Sequence, residues 1–241
     1  ILETKSDKGT LLIVKNYSGD CMNFDAAAEM AEDDDITVAK VYVNDDVAVK
    51  DSLYTVGRRG VAGTVFVHKI AGAAAEAGKS LDQVKAVAEK VIANVRSIGF
   101  ALTSCTVPAK GTPTFALGEG EIEFGVGIHG EPGIERQKLA SADSLAKQMV
   151  DRILADLPFK KGDEVAVMIN GFGATPLQEL YLLNNSVAKL VEAAGVKTHR
   201  TFVGNYMTSI DMAGASVTLL RLDAELKAWL DAPSAAVGFR V

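Results

Sequence analysis

Short apolar runs alternate with longer helical patterns along the first part of the chain. The runs at 11–17 and 36–43 are rich in β-branched residues and have the length of strands. A helical pattern occupies 24–34 between them. From about Gly60 to Ile98, Ala-rich segments with apolar residues at i, i+3 and i+4 predict two more helices. Alternation of this kind is typical of an α/β fold.

The pattern changes after Ser97, where strand-like runs follow one another with only Pro and Gly turns between them. These runs lie at 99–107, 114–118 and 121–128. Because no helix separates them, we predict an antiparallel portion and a second domain. The remaining predicted elements are a helix at 142–157, a strand at 164–169, a helix at 177–194, strands at 198–204 and 215–222, and a short helix at 223–230.

The predicted fold class is therefore α/β, with two domains that each contain a mixed β-sheet flanked by helices. The first domain spans 1–97 and the second spans 98–241. With 241 residues, of which 48% are hydrophobic, the chain has enough apolar side chains to bury a substantial core.

Charge and cysteine usage exclude several classes of function. The formal net charge is −6 and the longest basic runs are Arg58–Arg59 and Lys160–Lys161, so we predict no binding to nucleic acid or to a membrane. No apolar run approaches the roughly 18–20 residues that cross a bilayer, and the N-terminus has no signal-peptide pattern. Cys21 and Cys105 match no zinc or redox spacing, which is typical of reduced thiols in a cytoplasmic protein.

Two glycine-rich stretches are spelled like phosphate-binding loops but lack the required context. GVGIHG at 125–130 satisfies G-x-G-x-x-G, yet Pro132 and Gly133 follow where that motif needs a helix. GAAAEAGKS at 72–80 resembles a Walker A loop with one residue too many between its glycines. An S-x-x-Q capping box that starts at Ser80 explains this stretch without a phosphate.

NGFGATP at 170–176 has the better context, because a predicted strand precedes its glycine turn and a predicted helix follows it. Thr175 as the N-cap and Pro176 as the first helical residue are ordinary signals for the start of a helix. An anion site and a purely structural turn both remain open here, and we favour the structural turn.

Charged side chains follow the first two predicted strands. Lys15 and Asp20 lie at the carboxyl end of the first strand, where open α/β sheets bind ligands, although a solvated cation and a turn carboxylate explain them equally well. Within 44–60, after the second strand, we interpret Asp45 and Asp46 as turn formers. The arginines of that segment either pair with nearby carboxylates or contact a ligand.

His129 is the most distinctive of the three histidines. Glycines at 127, 130 and 133 remove side-chain bulk on both sides of it, so we expect room for a small molecule to approach the imidazole. No second His or Cys lies at ligand spacing, and we predict no metal site. His68 lies in an apolar helical stretch and is expected to be packed or half-buried.

Five stretches resemble the K subunit of dihydroxyacetone kinase. They are KNYSGDCMNF, DDVAVKDSLYTVGRRGVAGTVFVHKIAGAAAE, FGVGIHGEPGIER, NGFGATPLQELY and MTSIDMAGASVTLL. They come in the order of that family and extend over essentially the whole chain, and FGVGIHGEPGI is highly specific to it. Composition and periodicity alone do not lead to this family.

The resemblance implies covalent binding of the substrate. In that family the histidine of IHGEPG adds through a ring nitrogen to the ketone carbon of dihydroxyacetone and forms a hemiaminal, and His129 is the matching residue. A neutral imidazole is a nucleophile near neutral pH, and only a carbonyl compound can be held in this way. Asp20 matches the family's acid/base aspartate, which hydrogen-bonds the substrate. Lys15 matches a lysine that contacts the substrate region.

The resemblance also implies a partner and a phosphoryl donor. In the family, ATP or ADP with Mg²⁺ is held by a separate L subunit or domain, so we expect no cofactor on this chain. In the bacterial phosphotransferase branch the bound ADP is rephosphorylated, with phosphoenolpyruvate as the ultimate donor. The expected activity is a kinase reaction of glycerol metabolism, in which this chain, as a homodimer, presents dihydroxyacetone to the L subunit.

This chain departs from the family pattern at its N-terminal end. Family members begin with a GGGSGHEP-like motif, whose histidine helps to hold the substrate, whereas this chain starts downstream with Ile1. We therefore expect the natural N-terminus to lie upstream and the first domain to lack that segment. Some relatives keep the histidine but act as dihydroxyacetone-sensing transcriptional coactivators, which is the alternative function. Lys15, Asp20 and GRRGVAGTVFVHKIAG resemble the kinase form.

Overall fold

The computed structural model describes residues 1–4, 6–50 and 56–241. The protein is mixed α/β, as predicted. Its helices are α1 (Ser18–Asp33), α2 (Thr64–Glu76), α3 (Leu81–Asn94), α4 (Ala142–Asp156), α5 (Leu177–Ala193) and α6 (Ala224–Asp231), with a short 3-10 helix at Leu2–Thr4. Its strands are β1 (Thr10–Lys15), β2 (Val38–Val43), β3 (Val95–Ala101), β4 (Glu121–Phe124), β5 (Glu135–Lys138), β6 (Glu164–Gly171), β7 (Lys197–Gly204), β8 (Gly214–Leu222), β9 (Ala235–Ala236) and β10 (Phe239–Arg240).

Contacts between residues divide the chain into two compact units. The first comprises Ile1–Asp45, Lys50–Asn94 and Asp223–Val241, and the second comprises Asp46–Val49 and Val95–Leu222. Apart from the short segment Asp46–Val49, the chain enters the second unit at Val95 and returns to the first at Asp223. The division into domains at residue 97 remains a prediction.

The first unit contains a parallel pair of strands, β1 and β2, in which Lys15 pairs with Val43. Since parallel strands end at the same edge, the polar residues that follow them are brought together there. α1 packs against both strands, and α2 packs against α3 and α6. The buried side chains of Phe66 and Ile70 on α2 and of Val14 on β1 contribute to the apolar interior.

α1 begins at Ser18, whereas the sequence pattern places its start at 24. Gly19 lowers helix propensity, but the helix runs through it and the Cys21 N–H donates to the Tyr17 carbonyl. Asp20 consequently lies in the first turn of a helix and not in a loop. The N-terminal end of a helix carries partial positive charge, which favours a carboxylate at this position.

The capping box predicted to start at Ser80, between α2 and α3, is confirmed. The Ser80 N–H donates to Gln83 Oε1 at 3.0 Å, and the Gln83 N–H donates to Ser80 Oγ at 3.3 Å. These reciprocal bonds satisfy two backbone donors at the start of α3, which is the function of a capping box.

The second unit is built on a six-stranded sheet with the strand order β5-β4-β3-β8-β6-β7. β6 and β7 are parallel and the other neighbouring strands are antiparallel, so the predicted antiparallel portion is confirmed. α5 packs on β6 and β7, and α4 packs on α5, β3 and β8. Ile122, Phe124, Met149 and Ile169 are fully buried between the sheet and these helices.

Strand positions near the start of this unit differ from the prediction. β3 begins at Val95 rather than at 99, because it pairs with β8 along its whole length, from Val95 opposite Leu220 to Ala101 opposite Gly214. The predicted strand at 114–118 is not a strand. Its apolar side chains resemble a strand locally, but no neighbouring strand pairs with it among the described residues.

β5 was not predicted, because its sequence ERQK is polar throughout and lacks alternation. It is an edge strand that pairs with β4. Opposite charges lie across this pair, with Arg136 Nε at 3.2 Å from Glu123 Oε2 and Lys138 Nζ at 3.6 Å from Glu121 Oε1. Cross-strand charge pairs therefore accompany a polar strand that sequence periodicity does not reveal.

Candidate functional site

The carboxyl ends of β1 and β2 support the loop that precedes α2. Asn16, directly after β1, donates through Nδ2 to the carbonyls of Val56 at 2.9 Å and Arg58 at 2.8 Å. A Cβ on Gly60 would lie 2.4 Å from the Val43 carbonyl oxygen, so glycine is required for the backbone to pass this close to the strand end. The loop is thereby held directly against the residues that follow both strands.

Asp45 is a fully buried carboxylate in the same region of the first unit. Its Oδ1 accepts the Val61 N–H at 2.8 Å and its Oδ2 accepts the Gly63 N–H at 2.7 Å. Asp45 thus satisfies backbone donors at the start of α2 and anchors the loop, which is more than the turn-forming role that we predicted. Asp46 does form a turn, since its Oδ1 accepts the Ala48 N–H at 2.8 Å.

Lys15 and Asp20 are both half-buried residues of the first unit. Lys15 ends β1. Partial burial of the His68 ring on α2 lowers the pKa of His68, and the positive charge of Lys15 lowers it further. His68 is more exposed than we expected, but it is neutral at pH 7. Burial raises the pKa of the Cys21 thiol, and the negative charges of Asp25 and Asp20 raise it further. Cys21 is therefore a thiol, not a reactive thiolate, near neutral pH.

The loop between β4 and β5 presents His129 from a buried backbone. The chain turns out of β4 at Gly125, whose φ of 73° is in the left-handed region. Ile128 and Gly130 on either side are buried, whereas the His129 side chain is 48% exposed. The loop leads into β5 and not into a helix, so the dinucleotide spelling of its sequence has no structural counterpart.

Glu131 lies against the His129 imidazole. Its side chain is only 8% exposed, its Oε2 accepts the backbone N–H of His129 at 3.0 Å, and its Oε1 lies 3.3 Å from Nδ1 of the ring. Burial raises the pKa of the Glu131 carboxyl, but the hydrogen bonds from the ring and the backbone outweigh it, so the pKa lies below its ordinary value. Glu131 is therefore a carboxylate at neutral pH.

Two of the three glycines that we expected to leave room around His129, Gly130 and Gly133, face other atoms instead. A Cβ on Gly130 would lie 2.6 Å from Cys105 Sγ, and a Cβ on Gly133 would lie 2.1 Å from the Phe124 carbonyl oxygen. Both positions face closely packed protein atoms. The glycines therefore allow the loop to pack tightly, and His129 is exposed because of the path of the backbone.

A second buried carboxylate, Glu123 on β4, holds the far end of the loop. Its Oε1 accepts the Gly133 N–H at 3.0 Å, and its Oε2 accepts Nε–H of Arg136 at 3.2 Å. Carboxylates thus bind the backbone of the loop at His129 and at Gly133. This arrangement restricts the positions that the imidazole can take.

The turn at 170–176 serves the packing of the protein itself. α5 has Pro176 at the N-cap position, whereas we predicted Thr175 there. The Thr175 hydroxyl instead donates to the Gly214 carbonyl at 2.6 Å and accepts its N–H at 2.8 Å. The Gly173 N–H donates to the Asn205 side chain at 3.2 Å. These contacts agree with a structural turn rather than an anion site.

Of the three predicted site residues, Lys15 and Asp20 lie in the first unit and His129 lies in the second. Glu131 was missed. The signal in the sequence is the H-x-E spacing of His129 and Glu131. Gly130 between them has a φ of 81°, and this backbone turn brings the two side chains together. The roles of Lys15, Asp20 and His129 remain predictions at this point.

The described residues contain neither a metal-binding cluster nor a membrane-spanning helix. No group of three or more His, Cys, Asp or Glu side chains within 1–4, 6–50 and 56–241 is arranged to hold a metal ion. In the same part of the chain, no helix is both long enough and apolar enough to cross a membrane.

Several known proteins are similar to this chain in sequence or in structure. A protein of Listeria innocua serovar 6a, the "PTS-dependent dihydroxyacetone kinase 1, dihydroxyacetone-binding subunit DhaK", is 56% identical over 223 residues, which is 92% of this chain and 67% of the relative. The Escherichia coli K12 "PEP-dependent dihydroxyacetone kinase, dihydroxyacetone-binding subunit DhaK" is 44% identical over 256 residues, covering 96% of this chain and 72% of the relative.

Among solved structures, the "Dihydroxyacetone kinase operon co-activator Dha-DhaQ" matches with a TM-score of 0.90 at 34% identity, over 96% of this chain and 72% of that chain. This chain thus spans about two thirds to three quarters of the length of each of these three proteins. The family model described as the Dak1 domain matches residues 1–238. Both the sequence and the fold of this chain therefore show that it belongs to the Dak1 domain family.

Proposed function

We propose that this chain is the dihydroxyacetone-binding subunit of a dihydroxyacetone kinase and that His129 holds the ketone as a covalent hemiaminal. The observation that carries the proposal is the exposed His129 imidazole on its buried loop, with Nδ1 against the Glu131 carboxylate. A ring nitrogen can attack a ketone carbon, whereas glycerol has no carbonyl and is refused. The names of the two bacterial relatives support this substrate.

Carbon-13 NMR of dihydroxyacetone labelled at its carbonyl carbon tests the hemiaminal. On the full-length protein with nitrogen-15-labelled histidine, we expect a tetrahedral carbon signal that is coupled to nitrogen, because the hemiaminal contains a new C–N bond. His129→Ala should abolish this signal. His199→Ala, which alters a histidine on β7 of the same unit, should keep it. An equal signal in His129→Ala would rule out the proposed adduct.

We further propose that a nucleotide-bearing L subunit phosphorylates a hydroxyl group of the bound ketone, with phosphoenolpyruvate as the ultimate donor. The words "PTS-dependent" and "PEP-dependent" in the names of the relatives support this donor. In this proposal Asp20 takes the proton of the attacking hydroxyl, and Lys15 contacts the substrate. Asp20 is suited to this role because it is a half-buried carboxyl in the first turn of α1.

The proposal also covers the oligomeric state of this chain, its partner and its location in the cell. Because this chain matches the K subunit of the family along most of its length, we propose a cytoplasmic homodimer that binds the L subunit, with ADP or ATP and Mg²⁺ held by that partner. The turn at 170–176 supports this division, since the Gly173 N–H and the Thr175 hydroxyl donate to other groups of the protein.

The second candidate function is a dihydroxyacetone-sensing transcriptional co-activator. The solved co-activator with a TM-score of 0.90 supports it. The kinase subunit is favoured because the identity is 56% to the Listeria innocua kinase subunit and 34% to that co-activator.

A further inference from the structure

The neutral imidazole has two tautomers, and which of them His129 adopts decides which ring nitrogen can act as a nucleophile. The hydrogen sits on Nδ1 or on Nε2, and the lone pair sits on the other nitrogen. A residue that controls the position of the hydrogen therefore controls the attack on a carbonyl carbon. Glu131 contacts Nδ1 of this ring.

We propose that Glu131 is the positioning residue that holds hydrogen on Nδ1 of His129, so that Nε2 carries the lone pair that attacks the ketone. The choice of a ketone rests on the proposed function. The assignment of the tautomer rests only on the contacts between Glu131 and His129.

The contacts of Glu131 make it a hydrogen-bond acceptor. Oε2 already accepts the His129 N–H at 3.0 Å, which ties the carboxylate to the backbone of the residue that it orients. The pKa of Glu131 lies below its ordinary value, because the hydrogen bonds it accepts outweigh the effect of burial. An ionised carboxylate can only accept, so the 3.3 Å contact between Oε1 and Nδ1 is a hydrogen bond only when the hydrogen is on Nδ1.

The loop holds Glu131 in this position. Gly130, between the two residues, has a φ of 81°, which lets both side chains turn toward each other. The side chain of Glu131 is 8% exposed, so little water competes for its oxygens. A buried carboxylate that receives charged or polar donors forms stronger hydrogen bonds than an exposed one.

The contact between the Glu131 carboxylate and Nδ1 of His129 also favours the addition of Nε2 to the ketone. When Nε2 forms the C–N bond, the π electron pair of the carbonyl moves to the ketone oxygen, which then takes a proton from water. The ring becomes an imidazolium whose Nδ1–H faces the Glu131 carboxylate, and this negative charge stabilises it. Loss of the Nδ1 proton to water then leaves the neutral hemiaminal. Glu131 therefore acts through His129 and does not have to touch the ketone.

Nitrogen-15 NMR of labelled histidine in the full-length protein tests the assignment. At a pH where the ring is neutral, we expect the His129 signals of the tautomer with hydrogen on Nδ1. Glu131→Gln should shift the population toward hydrogen on Nε2 and slow formation of the dihydroxyacetone adduct by about 10- to 100-fold, as for other orienting partners of histidine. Glu131→Asp should keep the tautomer at least in part. Glu119→Gln, which alters an exposed carboxylate, is the matched control and should change neither quantity.

Two outcomes would overturn the role of Glu131. One is hydrogen on Nε2 in the unaltered protein, a result that does not depend on whether the variants fold. The other is a folded Glu131→Gln protein with unchanged tautomer and unchanged adduct rate. If the unaltered protein shows hydrogen on Nδ1 but forms no adduct, the proposed function fails and the tautomer assignment stands.

Discussion

Single glycines decide whether the His129 loop can pack against the rest of the second unit. Gly133 is the clearest case, because the site of its missing Cβ is occupied by a backbone atom, the Phe124 carbonyl oxygen. A flexible side chain could move aside, but this backbone belongs to β4 and pairs with both β3 and β5. The requirement for glycine is thus steric and is imposed by a residue nine positions earlier in the chain.

We expect Gly133→Ala to lower the free energy of unfolding by roughly 1–3 kcal/mol, the usual cost of forcing an extra methyl group into packed structure. Urea unfolding followed by circular dichroism measures it. The matched control is Gly72→Ala within α2, where no described atom apart from the adjoining residues and nearby backbone of the helix itself lies within 4 Å of the added Cβ. That substitution should stabilise the protein by about 0.5–1 kcal/mol, since alanine is the better helix former. Equal effects of the two substitutions would contradict the steric explanation.

At the scale of elements, α6 shows how a short helix is held in place by side chains of other helices. Lys69 of α2, which is only 8% exposed, donates through Nζ to the carbonyls of Trp229 at 2.9 Å and Ala232 at 2.7 Å. These carbonyls lie at the C-terminal end of α6, where the helix leaves acceptors unsatisfied and favours a positive charge. Lys90 of α3 pairs with Glu225 at 2.6 Å near the other end.

Lys69→Met should lower the free energy of unfolding by about 1.5–3 kcal/mol, because two carbonyl groups lose a charged donor. Methionine keeps much of the length of the apolar stem, so the change isolates the charge and its hydrogen bonds. Lys85→Met on α3 is the control, since its ammonium group forms an exposed pair with Glu89 at 3.6 Å. Such pairs contribute about 0–1 kcal/mol. A loss no larger than that of the control would show that Lys69 does not hold α6.

At the scale of the whole molecule, the proposed function depends on residues that belong to different units. Asp20 and Lys15 belong to the first unit and His129 belongs to the second. In the proposed reaction His129 binds the ketone, whereas Asp20 serves the transfer of the phosphoryl group. Substitution at the two positions should therefore affect different steps.

Mixing the full-length protein with a verified, ADP-loaded L subunit and dihydroxyacetone should yield dihydroxyacetone phosphate when the bound ADP is rephosphorylated. We expect Asp20→Asn to lower turnover by about 100- to 10,000-fold, the range typical of a lost acid/base group, with a much smaller effect on sugar binding. Product formation coupled to NADH oxidation measures turnover, and the carbon-13 signal measures binding.

Absence of product with an active partner would favour the co-activator function over the kinase subunit. Equal losses of turnover and binding in Asp20→Asn would leave this residue only a binding role. Asp82→Asn, in the first turn of α3, is the control for an acidic residue at the start of a helix.

The candidate site shows which residues and contacts can be predicted from one sequence. The IHGEPG stretch led to His129 because its resemblance to one family is specific. Glu131 lies two residues away in the same stretch, but its contact with Nδ1 depends on the positive φ of Gly130 and on burial of the carboxylate. The local sequence indicates a turn former at Asp45, since nothing near it shows that the N–H groups of Val61 and Gly63 are its partners.

By itself, the sequence determined the α/β class, most of the helices and the capping box at Ser80, because hydrophobic periodicity and capping depend on residues a few positions apart. Only the tertiary structure decided the start of β3, the polar strand β5 and the inclusion of Asp223–Val241 in the first unit. Strand pairing and unit membership depend on contacts between distant residues. The environment of His129 also depends on such contacts, because Phe124, Cys105 and Glu123, which lie outside the loop, contact its glycines.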